Sequence, residues 1–237
     1  MTGKDRERRQ PAGFTRRVVS VARHPVGGLA RWLFDLEITN HANLPEGPCV
    51  MAANHLSFID PVLVTLVAKR NVRYLAVADL FDQHHLFDRL ISFFGAIPTP
   101  RDRAPIAAIR AALAELDAGN PIGVFPEGRR VEQWRGETPQ RGAAWLALAA
   151  GVPLVPIAMQ GTEGTLSVRH GAFRRTAVHI WVEPPIDPHD YIDYVDPLGA
   201  LTRAWHEAVA SKLDPWWGES SGSVRLESAR SGEPGPS

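Results

Sequence analysis

A chain of 237 residues with 44% hydrophobic side chains suits one globular domain with a full core. Its 26 basic and 26 acidic residues cancel, so the overall charge does not suggest a nucleic-acid binder and no such partner is expected. The single cysteine, Cys49, excludes an intrachain disulfide and makes a reducing compartment the default.

The charge is unevenly spread. Residues 1–31 hold Lys4, Arg6, Arg8, Arg9, Arg16, Arg17, Arg23 and Arg31 against Asp5 and Glu7, a local +6 that residues 32–237 offset with −6. A basic amino end on an acidic body suggests contact with an anionic surface; a solvated arginine-rich tail is the plainer reading. Within this stretch FTRRVVSVARHPVGGLARWLF (14–34) places Phe14, Val18, Val21 and Ala22 on one helical face. The pattern resumes after Pro25 with Val26, Leu29, Ala30 and Leu33. Residues 1–35 therefore read as a basic, amphipathic helical pair, either a membrane anchor with arginines at headgroup level or a pair packed on the body. The first dozen residues are charged with no apolar core behind them, so no signal peptide is expected.

From residue 36 short β-type runs alternate with helical segments. LEITN (36–40) and CVMAANH (49–55) read as strands joined by a turn through Pro45, Gly47 and Pro48. DPVLVTLVAK (60–69) reads as a helix, VRYLAVA (72–78) as a strand and DLFDQHHLFDRLISFF (79–94) as a helix. GAIPTPR (95–101) is a short extended piece, and APIAAIRAALAELDAG (104–119) an amphipathic helix. PIGVFPEG (121–128) reads as a buried strand, TPQRGAAWLALAAG (138–151) as a helix and PLVPIAM (153–159) as a strand. The uncharged run 143–159 is broken by Gly151, Pro153 and Pro156, so it is not read as a membrane span. AVHIWVE (177–183) is a strand and PLGALTRAWHEAVASKL (197–213) the last helix. The expected class is α/β, a mixed, largely parallel central sheet flanked by helices, with an N-terminal helical pair. Residues 36–215 form the expected catalytic domain. Residues 216–237, from 218 without apolar residues at a useful period, form an expected disordered tail.

Several polar groups follow strands in this reading: His55, Arg101, and Glu127 with Arg129 and Arg130. In open α/β sheets ligands bind beyond the carboxyl ends of strands, so loops distant in sequence can converge there. For Asp60 an unremarkable role competes. Asp followed by Pro is a good N-cap with proline at the first helical position, and Ser57 with Asp60 also fits a capping-box spacing. On a helix, positions i and i+5 lie about 140° apart, so His55 and Asp60 can pair only across a turn. For the arginines the plain alternative is a surface ion pair. DQHHLFD (82–88) lacks metal-ligand spacing, and no metal site is expected. For Trp216 and Trp217, packing on the last helix competes with interfacial anchoring.

Four blocks taken together sharpen the reading. NHLSFID (54–60) resembles the H-x-x-x-x-D block of the glycerolipid acyltransferase family, whose best-known members are 1-acylglycerol-3-phosphate acyltransferases. GAIPTPR (95–101), running from Gly95 to Arg101, resembles that family's second block, FPEGRR (125–130) its third, and VPLVPIAMQGT (152–162) its fourth. The resemblance covers about residues 36–185, in the family's order.

The resemblance implies an acyl transfer from a thioester donor, acyl-CoA or acyl-carrier protein, to the hydroxyl of a lysophospholipid acceptor. The most specific expectation is 1-acylglycerol 3-phosphate giving phosphatidic acid. His55 would be the general base, and an unperturbed imidazole pKa of about 6.5 suits that work. Asp60 would orient the ring. Arg101 and Arg130 would bind phosphate, since a guanidinium fork matches its oxygens. Glu127 would contact glycerol hydroxyls and Gly128 would permit close backbone approach. Asn54, Gly95 and Arg129 are further candidates from the same blocks. Arg129 stands where the family more usually has Thr, and Val131 where a Ser often follows, which bears on the acceptor more than on the reaction. No G-x-S-x-G elbow is present, and no covalent acyl-enzyme is needed. Backbone N–H groups near the start of the helix at Asp60 are the candidates for holding the oxyanion. No cofactor beyond the thioester co-substrate is expected. The expected location is cytoplasmic, peripheral on the inner face of an anionic membrane. The sequence carries no signal for an oligomeric state.

Overall fold

The apolar runs form one sheet of seven strands: β1 (Asp35–Thr39), β2 (Val50–Ala53), β3 (Arg73–Val77), β4 (Ile97–Thr99), β5 (Ile122–Val124), β6 (Leu154–Gln160) and β7 (Ala177–Val182). The computed structural model describes residues 34–70, 72–77, 97–99, 106–168 and 171–231. Their spatial order is β1-β7-β6-β2-β5-β3-β4. Strands β2 to β6 run parallel to one another, β7 pairs antiparallel with β6, and β1 pairs parallel with β7. The sheet is thus mixed and largely parallel, as the alternation of elements predicts.

Helices α1 (Asp60–Ala68), α2 (Ile106–Asp117), α3 (Gly142–Ala150) and α4 (Pro197–Ser231) complete the described architecture. In β2, Val50 and Ala52 join a core with Leu116 of α2, Leu146 of α3 and Leu201 and Trp205 of α4. Cys49, Met51 and Ala53 join the opposite core with Leu63, Val64 and Val67 of α1. Strands buried on both faces have no polar side to display, which is why they read as apolar runs rather than as alternation. Each fully buried aliphatic side chain contributes roughly 1.5–3 kcal/mol, so the two cores fix which way every strand faces.

Parallel neighbours need a crossover, whereas a chain that returns without one must run antiparallel. Between β6 and β7 the described residues hold only a 3-10 turn (Thr162–Gly164), and β7 does return antiparallel. Gly161 opens that connection at φ 88°, and a Cβ there would stand 1.9 Å from the carbonyl oxygen of Ala177. Only glycine fits.

Some boundaries differ from the sequence reading. β1 and β2 are joined in sequence but separated in space by β7 and β6, so the Pro45–Pro48 turn is not a hairpin. α3 begins at Gly142 rather than 138 because Gln140 N–H is drawn to the carbonyl of Pro126 at 2.7 Å. The last helix continues past 213 to Ser231, through Pro215 and into the stretch expected to be disordered. Glu219, Arg225, Leu226, Glu227 and Ala229 are adequate helix formers; a missing apolar stripe reports on packing, not on propensity. The N-terminal helical pair and the helix expected over 79–94, with its histidines, lie outside the described residues.

Candidate active site

All five parallel strands end on the same edge of the sheet, and all four sequence blocks have described residues there. β2 hands over to Asn54 and His55, β5 to Phe125–Gly128, and β6 to Gly161. β4 ends at Thr99 on that edge as well, although Gly95 and Arg101 lie outside the described residues.

The chain 54–60 turns before it becomes helix, and this turn allows a pairing that i,i+5 spacing on a helix forbids. His55 Nδ1 lies 2.9 Å from Asp60 Oδ2. The same oxygen accepts the N–H groups of Leu56 and Ser57, both at 2.7 Å, and Asp60 is fully buried. A carboxylate oxygen accepts, so Nδ1 carries the ring's proton and Nε2 offers a lone pair. His55 keeps 15% of its side-chain surface open, and among the described residues Nε2 has no hydrogen-bond partner.

The cap reading of Asp60 is half right. Its side chain does not cap as an N-cap; it reaches back to Ser57 N–H, while Ser57 Oγ accepts from Ile59 N–H at 3.3 Å. That is the reciprocal logic of a capping box, with a histidine added to the acid's duties. It also commits the N–H groups of residues 56–60, five of the backbone donors around the start of this helix. The N–H groups of Leu56 and Ser57 go to Asp60, Phe58 N–H to the carbonyl of Leu166, Ile59 N–H to Ser57 and Asp60 N–H to the carbonyl of Ser57. None of the five is left for substrate.

An aromatic shelf supports the imidazole. His55 stacks on Phe125 with ring centroids 4.0 Å apart, and Phe125 lies 5.9 Å from the nearly parallel ring of Tyr74. Tyr74 in turn lies over Gly123 on the neighbouring strand, where an added Cβ would come within 2.2 Å of the ring. The Tyr74 hydroxyl donates to the carbonyl of Pro61 at 2.8 Å, closing the shelf onto α1. Sequence reasoning missed Phe125 and Tyr74; the aromatic immediately after a buried strand, next to PEG, was the available signal.

Phe125–Gly128 forms a tight turn, with Gly128 N–H donating to the carbonyl of Phe125 at 2.9 Å. Gly128 has φ 72°, so its glycine serves the turn; a Cβ would meet only the end of the Gln140 side chain. Val131 N–H donates to the carbonyl of His55 at 2.9 Å, which pins this loop to the histidine loop. Glu127 is 4% exposed and accepts a long 3.4 Å bond from His55 N–H, leaving Oε2 buried without a partner. Burial pushes its carboxyl up to about 7, and the nearby Asp60 charge adds to the shift.

The two adjacent arginines part company. Arg130 is half-buried, its guanidinium carbon 3.1 Å from the centre of the Phe58 ring. Burial lowers its pKa from the usual arginine value, with Asp60 opposing. Arg129 points outward, 73% exposed, and pairs with Glu137. Asn54 is fully buried, its amide exchanging two hydrogen bonds with the backbone of Met159 at 2.7 and 2.9 Å. That side chain ties the end of β2 to β6. Cys49 is buried and its thiol is pushed up to about 11 by burial, so it is not a thiolate nucleophile at neutral pH.

A buried carboxylate holding one imidazole nitrogen, with the other free on a partly open ring, is equipped to remove a proton from a hydroxyl. The comparisons with known proteins agree in kind. A family model described as Acyltransferase matches residues 35–160, more than half of the chain. The 1-acyl-sn-glycerol-3-phosphate acyltransferase of Bacillus subtilis (strain 168) is 25% identical over 187 residues, covering 76% of this chain and 90% of that protein. A chloroplastic 1-acyl-sn-glycerol-3-phosphate acyltransferase of Brassica napus is 26% identical over 158 residues; these are 65% of this chain and 45% of that longer protein. Among solved structures, the 1-acyl-sn-glycerophosphate acyltransferase PlsC of Thermotoga maritima shares the fold, with a TM-score of 0.69 over 85% of this chain and 80% of that one, at 22% identity. With the family model running from β1 to the end of β6 and relatives of one name around it, the chain belongs to the Acyltransferase family and is an O-acyltransferase.

Proposed function

We propose that the protein transfers an acyl group from an acyl thioester to the free hydroxyl of a lysophospholipid, 1-acylglycerol 3-phosphate, giving phosphatidic acid. The observation that carries this reading is the 2.9 Å contact between His55 Nδ1 and the buried Asp60, which leaves Nε2 available on a partly open ring. The names of the relatives support the acceptor.

In this scheme His55 Nε2 takes the acceptor's hydroxyl proton as the oxygen attacks the thioester carbonyl. Asp60 stabilises the imidazolium that forms. The tetrahedral intermediate collapses, the C–S bond breaks, and the departing sulfur takes the proton back from Nε2. Ester and free thiol are the products, so the chemistry consumes nothing beyond the acyl-CoA or acyl-carrier-protein donor. Arg130 and Arg101 grip the acceptor's phosphate, and the unpartnered Oε2 of Glu127 meets a glycerol hydroxyl. Arg129, already paired with Glu137, plays no part in it. The protein works at the cytoplasmic face of a membrane, held peripherally by the +6 of residues 1–31.

The test is acyl transfer by the purified chain, with acyl-CoA and acyl-carrier protein as donors. A panel of lysophospholipids and glycerol 3-phosphate would serve as acceptors. Phosphatidic acid made from 1-acylglycerol 3-phosphate is the expected product. Preferential acylation of glycerol 3-phosphate would reassign the acceptor, and no transfer to any acceptor would defeat the reading. Deleting residues 1–31 should release the protein from anionic vesicles; sedimentation unchanged by the deletion would remove that segment's role.

A further inference from the structure

We propose that the excursion between β6 and β7 is a second membrane-docking element, with Val168, Phe173, Arg174 and Arg175 meeting an anionic lipid surface. The connection leaves β6 at the catalytic edge of the sheet. Its base is fastened to the histidine loop: Ser57 Oγ donates to the carbonyl of Thr165 at 2.6 Å, and Phe58 N–H to that of Leu166 at 3.0 Å. Leu166 N–H reaches the carbonyl of Ala172 at 3.1 Å and Arg174 N–H the hydroxyl of Thr165 at 2.9 Å, which gives the excursion a defined form. Beyond this fastened base the apolar side chains are not tucked in. Val168 and Phe173 are each 48% exposed, and Arg174 and Arg175 are exposed beside them.

The charge fits one kind of partner. No Asp or Glu occurs from Gly164 to Val182, and Glu163, at the start of the excursion, accepts from the N–H of Gly161 at 2.9 Å. Bulky apolar side chains flanked by arginines match the boundary between acyl chains and headgroups. The Phe173 ring also packs edge-on against Phe34 at 5.7 Å. Phe34 is where the basic residues 1–31 join the domain, so the patch is continuous with that point of entry. A surface fastened to Ser57 and Phe58 and lying on lipid would set the His55 cleft at a fixed height above the bilayer. This purpose rests on the lysophospholipid reading, whereas docking itself is measured without substrate.

The experiment is co-sedimentation of the full chain with phosphatidylglycerol–phosphatidylethanolamine vesicles. The comparison is with Phe173→Ser/Arg174→Gln/Arg175→Gln, with circular dichroism to verify the fold. We expect the triple variant to lose about tenfold or more in vesicle partitioning, each arginine near an anionic surface being worth several-fold. Acyl transfer to a short-chain, monomeric acceptor should be retained. The arginine double variant, which keeps Phe173 against Phe34, should lose several-fold and decides the matter if the triple variant does not fold. Binding as tight as wild type in the folded triple variant, or in the double variant if the triple does not fold, overturns the proposal while leaving the acyltransferase reading intact. A wild-type chain that ignores both anionic and phosphatidylcholine vesicles overturns docking as a whole, and the short-chain assay still judges the chemistry separately.

Discussion

The turn 54–60 and the turn 125–131 meet at one edge of the sheet, and they differ in how much of their polar surface is already committed. Each contributes a buried acid. Asp60 Oδ2 takes three donors at 2.7 to 2.9 Å, from His55, Leu56 and Ser57. Glu127 takes one long bond of 3.4 Å from His55 N–H, and burial pushes it up to about 7. A group that must aim an imidazole gains from being over-determined, because orientation is its whole task. A group that must meet a substrate hydroxyl has to keep an oxygen uncommitted until the substrate arrives. The difference separates a positioning device from a binding device, and substitutions on either side should expose it.

The widest gap is expected from His55→Ala. Under the proposed chemistry its turnover falls by about 10²-fold or more, the usual scale for a general base. The fold persists, because the ring sits at the edge and the core lies beneath it. A folded variant with near wild-type kcat would take His55 out of the reaction. Asp60→Asn comes next. An amide offers one oxygen and places an NH2 group in the other position, where the buried Oδ1 already has no partner. We expect a loss of about 1–3 kcal/mol in stability together with a drop in kcat of about tenfold or more. A normal urea midpoint and normal turnover in the same variant would cancel the orienting role.

Glu127 probes the other turn through pH. Its folded pKa of about 7 stands above the usual carboxyl value of 4.5, so between these values the native state holds a proton that the unfolded chain has released. The stability linked to this group is therefore fully present below about pH 4.5 and lost as pH rises through 7. Glu127→Gln removes the titration. Urea melts at pH 5, 6, 7 and 8 should show the variant gaining on wild type as pH rises, by an amount on the order of 2–3 kcal/mol at most. Parallel curves for the two proteins would mean that the carboxyl is not held in the unpaired, buried state described here.

How much of this was legible in the sequence depends on whether a residue's role is local. The parallel order of strands followed from apolar runs alternating with helical patterns, and the blocks at residues 54–60 and 125–130 do flank strand ends. The pairing of His55 with Asp60 was not legible from periodicity. The two residues meet because 56–59 form a turn, and the bonds that shape it are invisible until Asp60 is folded back. The engagement of the Leu56 and Ser57 N–H groups by the acid is equally invisible in the sequence. For Gly128 the resemblance implies room for close backbone approach, and the structure adds a turn at φ 72° that sequence alone does not show. Phe125 looked like an ordinary core residue because only its stacking on His55, across two strands, gives it a further role. In each case the missing information was a contact between residues that no spacing rule connects.

The adjacent arginines provide the finest form of the same comparison. By residue type alone Arg129 and Arg130 are alike, and beyond their places in the block distant partners separate them. Glu137 holds Arg129 outward, and Phe58 receives Arg130 on its face. A lysine at 130 would keep the charge but lose both the flat stack and the two-pronged match to phosphate oxygens. Arg130→Lys should accordingly raise KM for a phosphorylated acceptor by about tenfold with a smaller change in kcat. Arg129→Gln should leave KM within about twofold, since an exposed ion pair contributes at most about 1 kcal/mol and this one faces solvent. Steady-state kinetics on the two variants, with acceptor varied at saturating donor, would decide between them. If the effects came out reversed, the phosphate would have to be met from the outer side of the loop. If both variants kept the wild-type KM, the acceptor would have to be uncharged where Arg130 meets it.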